Sequence, residues 1–163
     1  MEILCGERAL RYLGEAYRQS RTIGRRLSVK PLEAAEAVEH LEAELAALKA
    51  RTAALEQEVF HRIAQEYAGA GEALLIREPL PAGGARRLAD AVGHTCRGLA
   101  AVFAGKGESY VYALVQGDGG DIAPLVKAMN SALHGQGGGR NGFAQGSVQA
   151  ERADIEGFFV SNP

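Results

Sequence analysis

The stretch "HGQGGGRNGFAQGSV", His134 to Val148, decides how the C-terminal half of this chain folds. Of the five residues from Gly135 to Gly139, only Gln136 is not glycine. Glycine loses more backbone freedom on ordering than any other residue, so a cluster is costly to fix. Two readings follow. One is a flexible surface loop with a stray arginine, Arg140. The other is a backbone shaped to approach something closely, because glycine N–H groups at positive φ can line an anion-binding concavity. Arg140 would add a planar fork that matches phosphate. Phe143 and Gln145 would add a stacking face and an amide. The segment alone leaves both readings open. After the glycines, "FAQGSVQ" (143–149) is predicted to be a strand.

Working outward, the flanking segments alternate in type. "EALLIREPL" (72–80) is predicted to be a strand, and "AGGARRLADAVGHTCRG" (82–98) a helix with Leu88, Val92 and Cys96 on one stripe. "LAAVFAG" (99–105) and "SYVYALVQG" (109–117) are strands joined by a turn at Lys106-Gly107-Glu108. "DIAPLVKAMNSALHG" (121–135) is a helix with Asp121 as N-cap and Ile122, Leu125, Met129 and Leu133 facing the core. "ERADIEGFFV" (151–160) is a last helix. The predicted order is β-α-β-β-α-β-α, a small α/β sandwich over 71–163.

Residues 1–70 are of another kind. Residues 7–27 carry Leu10, Leu13, Ala16, Tyr17, Ile23 and Leu27 near helical spacing, weakened by Gly14 and Gly24. Pro31 predicts a second helix start. In that helix Val38, Leu41, Leu45, Leu48, Thr52, Leu55 and Val59 follow alternating gaps of 3 and 4, a heptad seam with one polar member. A helix of roughly 37 residues is about 55 Å long. It cannot bury such a seam on itself. The expectation is an α/β protein with a long coiled-coil-like arm that dimerises through Val38, Leu41, Leu45, Leu48, Leu55 and Val59. The alternative is a helical hairpin within one chain. Charge follows the same division: residues 1–30 net +4, residues 31–70 net -5 and the remainder -1. Glu33, Glu36, Glu39, Glu42 and Glu44 form a solvated face.

The 163 residues and net charge of -2 give no sign of a strong polyanion partner. Cys5 and Cys96 lack partners at metal spacing, which favours a reducing, cytoplasmic setting. No apolar run approaches the roughly 18 residues needed to span a membrane. His40, His61, His94 and His134 do not lie at the spacing that puts two ligands on one helix face. There is no Gly-x-Ser-x-Gly elbow. The glycine run lacks the Lys-Ser/Thr of a P-loop, and it follows a helix instead of opening one, as a dinucleotide fingerprint must. No catalytic or metal residue is therefore assigned.

"GQGGGRNGFAQGSV" resembles the glycine-rich, Arg-containing, Ala-Gln-Gly signature of the DHH-associated domain. That domain ends alanyl-tRNA synthetases and the longer free-standing alanyl-tRNA editing proteins. "EILCGERALRYL" resembles the segment that follows their editing domain, and the heptad helix resembles their helical connector. The residues that match the signature are Gly137, Gly138, Gly139, Arg140, Ala144, Gln145 and Gly146. Where synthetases often carry Pro-Asp after the arginine, this chain has Asn141-Gly142, which puts loop rigidity in doubt. The editing zinc is held in the family by His-x-x-x-His and Cys-x-x-x-His pairs, and neither is here; four residues after Cys5 stands Ala9.

The resemblance thus implies the C-terminal portion of a larger protein, with zinc and ATP used only by domains outside this chain. It implies a tRNA(Ala)-binding, dimerising module. The implied RNA contacts are Gly137, Gly138, Gly139, Arg140, Asn141, Phe143 and Gln145, joined by Lys106 and Lys127. Two alternatives stand: the nucleic-acid-binding domain of a DHH-type phosphoesterase, whose members carry histidine where Arg140 stands, and a purely structural dimerisation tail.

Overall fold

The computed structural model describes residues 5–161. Glu2, Ile3 and Leu4, which open the second resembling segment, lie outside the described residues. The chain divides into two compact units, with the boundary between Leu55 and Glu56.

In the first unit, α1 (Gly6–Leu27) ends at Ser28, whose left-handed conformation (φ 59°) reverses the chain. Gly24, which weakened the helical pattern in sequence, has a geometric role here. A Cβ on it would lie 2.7 Å from the Val29 carbonyl oxygen, so glycine lets the chain turn back tightly. Pro31–Glu33 forms one short 3-10 turn, and α2 (Ala34–Glu66) follows directly. Proline at the start of this turn agrees with the predicted helix start. α1 folds back onto the Pro31–Glu33 turn but leaves Leu10, Leu13 and Tyr17 exposed. The seam on α2 is uncovered as well. Val38, Leu41, Leu45, Leu48, Leu55 and Val59 are between 38% and 61% exposed. The single chain therefore does not close this seam with its own first helix.

The second unit holds the last turns of α2 and everything after them. Its elements are β1 (Ala73–Arg77), α3 (Gly84–Gly93), β2 (Leu99–Lys106), β3 (Ser109–Gln116), α4 (Ala123–Ala132), β4 (Gln136–Arg140), β5 (Phe143–Gln149) and α5 (Arg152–Ser161). The five strands form one mixed sheet in the order β1-β2-β3-β5-β4. Only β1 and β2 are parallel, connected through α3. The other neighbours are antiparallel. The α/β class and the long N-terminal helices are as the sequence predicts.

One element differs. The glycine run is a strand, β4, so the order is β-α-β-β-α-β-β-α. The cause is the dipeptide Asn141-Gly142. Both residues have positive φ, 52° and 75°, as the two-residue hairpin turn that matches strand twist requires. The turn sets Arg140 opposite Phe143 and carries the glycines back along β5. Smaller differences concern ends. α3 stops at Gly93, short of the predicted 98, because the chain must turn into β2. Asp121 accepts a hydrogen bond from the Ala123 N–H at 3.0 Å, one residue ahead of the assigned N-cap, Ile122.

The strands' alternation divides the core in two. Phe103, Tyr110, Tyr112, Leu114, Ala144 and Val148 face α4 and α5, where Val126, Met129 and Ile155 meet them. Ala100, Val102, Ala104 and Ala113 face α3 and the end of α2, meeting Leu88, Ala89, Val92, Phe60 and Ala64. Cys96 is buried here and hydrogen-bonds weakly to the Gly98 carbonyl.

Candidate nucleic-acid interface

The β4–β5 hairpin places the signature residues. Directly paired residues in an antiparallel ladder share a face. Gly137 and Gly139 therefore lie with Gly146 and Ala144 toward α4, while Gly138 and Arg140 lie with Gln145 and Phe143 on the other side. The run is extended, so its N–H groups alternate between sides and form no concavity of successive donors. The glycines serve close packing instead. A Cβ on Gly139 would lie 2.0 Å from the Phe143 carbonyl oxygen and 2.4 Å from the Ala144 Cβ. One on Gly137 would lie 2.4 Å from the Tyr112 hydroxyl, and one on Gly146 2.2 Å from the Gln136 carbonyl. Gly138 differs: nothing lies within 4 Å of its added Cβ.

On the α4 side a polar chain fixes this edge strand. The Tyr112 hydroxyl donates to Asn130 Oδ1 at 3.1 Å, and Asn130 Nδ2 donates to the Gly137 carbonyl at 3.1 Å. Burial pushes the Tyr112 phenol above its ordinary range, and the Asn130 contact partly offsets this. Beside this chain, α4 and β4 border an open groove of about 350 Å³, lined by Val126, Lys127, Asn130, Ser131 and Gly137 to Gly139. Lys127 thus stands beside the glycine strand.

On the α3 side, Arg140 and Gln145 are exposed and Phe143 is half-buried. The Arg86 guanidinium lies over the Phe143 ring, 5.0 Å from its centroid, a cation–π contact. Arg86 also sits 3.8 Å from Asp90. The expected RNA contacts are therefore split between two faces of one hairpin. Lys106 is in neither group. It pairs with Ser109 at one end of β3, whereas Phe143 pairs with Val115 near the other. Six residues of strand separate them, about 20 Å.

Three residues of this site escaped the sequence reading: Arg86, Tyr112 and Asn130. The Asn-Gly pair was the available signal, since a hairpin there forces the glycines into a strand and sets them against Tyr112. Arg86 carried no local signal, because its stacking on Phe143 depends on the sheet.

Among the described residues no three His, Cys, Asp or Glu side chains converge as a metal site. No helix among them is long and apolar enough to cross a membrane.

No family model matches the chain, and no curated protein does. Among solved structures, the C-Ala domain of alanyl-tRNA synthetase from Aquifex aeolicus is similar at 19% identity, with a TM-score of 0.48. The match covers 58% of this chain and 89% of that one.

Proposed function

We propose that this chain is the C-terminal tRNA-binding and dimerisation module of an alanyl-tRNA synthetase or a free-standing alanyl-tRNA editing protein. The observation that carries the proposal is the glycine hairpin. It holds an exposed Arg140 at its turn, Gln145 and an Arg86–Phe143 stack on one face, and Lys127 beside its other face. Guanidinium, amide and ammonium groups suit phosphate and base edges. The resemblance of "EILCGERALRYL" and, later in the chain, "GQGGGRNGFAQGSV" supports the assignment of that chemistry to tRNA(Ala).

In this reading the DHH-associated domain runs from residue 71, and the arm to residue 70 pairs subunits through the exposed seam of α2. Catalysis, with its zinc and ATP, belongs to the domains that precede this region in the family, and the setting is the cytoplasm. Arg140, where DHH-type phosphoesterases carry histidine, favours the tRNA reading over that alternative.

The test is binding of a tRNA(Ala) transcript to the whole chain by fluorescence anisotropy over a salt series. Phosphate contacts release counterions, so affinity is expected to fall steeply between about 50 and 200 mM salt. No binding at the low end would overturn the proposal.

A further inference from the structure

The sheet of the second unit is covered unevenly. α3 lies over β2 and β3, while α4 covers β4 and β5 from the opposite side. On the α3 side, β4, β5 beyond its Phe143 end and the Val111 end of β3 have no helix packed over them among the described residues. Strand alternation puts Gln136 and Arg140 of β4, Gln145 and Ser147 of β5, and Val111 of β3 on this uncovered face, and all five are exposed. Between this field and the loop that begins α3, Leu80 to Arg86, lies a cleft of about 500 Å³ that reaches Val111 and Gln145.

The chemistry of the field selects its occupant. No carboxylate stands among these five side chains; Asp90 lies beside Arg86 at the edge, 3.8 Å from its guanidinium. Two amides, a hydroxyl and a guanidinium offer hydrogen bonds and positive charge, and only Val111 is a large apolar group. Protein–protein interface cores are more apolar than this. A nucleic acid supplies the complement, with phosphates for Arg140 and polar base edges for the amides. Arg86 closes one side of the field. Its guanidinium lies over the Phe143 ring, 5.0 Å from the centroid, and is exposed, so it offers a cation against which a base can lie. A regular duplex hides its base faces, whereas unpaired nucleotides can splay bases onto a sheet and into a cleft.

We propose that this open face of β3, β5 and β4, with the cleft beside the Leu80–Arg86 loop, binds unpaired nucleotides of an RNA. The bases lie against Val111, Gln145 and the Arg86 guanidinium, and the backbone runs toward Arg140. The inference rests on the RNA-binding reading above but places the contact on the sheet face and not in the groove beside Lys127.

The experiment measures the affinity of the full chain for two labelled probes, a short single-stranded RNA and a tRNA(Ala) transcript. Wild type is compared with Gln145→Glu and with Ser147→Glu. Both positions are exposed, and circular dichroism checks that the variants fold. A new carboxylate in a phosphate-binding field is expected to weaken binding of both probes by about tenfold or more. If both variants bind both probes like wild type, the sheet-face inference falls while tRNA binding stands. If tRNA binds but the single strand does not, the inference also falls. If neither probe binds wild type, both readings fall. If the single strand binds through Gln145 and tRNA does not, the inference stands and the tRNA assignment falls. Self-association that Val111→Glu abolishes, with RNA affinity unchanged, would show a protein interface there and overturn the inference.

Discussion

Gly138 and Gly139 are neighbours in one glycine run, yet replacing them with alanine should have opposite effects. In Gly139→Ala the new Cβ would lie 2.0 Å from the Phe143 carbonyl oxygen and 2.4 Å from the Ala144 Cβ. Facing Cβ atoms in a ladder ordinarily sit about 4.5–5.5 Å apart, so β4 must move away from β5. Overpacking of this kind costs about 1–3 kcal/mol. In Gly138→Ala the Cβ meets nothing within 4 Å, and the residue has no positive φ. Alanine there restricts the unfolded chain and is expected to stabilise by about 0.4–1 kcal/mol. The two variants should differ by roughly 1.5–4 kcal/mol. With a urea slope of about 1–3 kcal/mol per molar, their midpoints should separate on the order of 1 M. Urea unfolding followed by circular dichroism measures this directly. Coincident midpoints would refute the claim that the glycines serve a packed hairpin and would return the run to a slack loop.

Tyr112→Phe removes the hydroxyl that reaches Asn130 and should destabilise by about 1 kcal/mol in chemical denaturation. The same phenol gives a pH signature. Its folded pKa is raised, so its contribution is fully present below the unfolded value of about 10 and is lost as pH rises through the folded value. Wild type should therefore lose stability above about pH 10 more steeply than Tyr112→Phe, as thermal melts across that range will show. Leu45→Lys with Leu48→Lys replaces two exposed seam residues, each worth roughly 1.5–3 kcal/mol when fully buried. Light scattering should find wild type dimeric and the double variant monomeric; equal masses would remove the seam from any interface.

Much of this fold was legible because its elements carry strong local signals. The heptad of α2, the continuous apolar run of β2 and the turn residues that bound β3 and β5 need no tertiary knowledge. β5 spans Phe143–Gln149, the predicted limits, since turn residues bound it on one side and a helix start on the other. β4 was not legible from propensity. Glycine is a poor strand former, and "QGGGR" has no side-chain alternation. Its pairing was nonetheless specified by Asn141-Gly142, a turn signal that composition obscured. The candidate site was legible at Arg140 and Gln145 but not in its arrangement. Whether Lys106 or Lys127 stands near the glycines depends on sheet register, which spacing along the chain does not encode. The uncovered sheet face was equally hidden, because it follows from where α3 ends in space and not from any motif.

The central claim is that Arg140, held at the turn of the glycine hairpin, contacts an RNA phosphate. The direct measurement is the affinity for tRNA(Ala) of wild type and Arg140→Ala, plotted as log affinity against log salt. Removing one phosphate contact should weaken binding at low salt and reduce the magnitude of the slope by about one. Identical affinities and slopes for the two proteins would contradict the account.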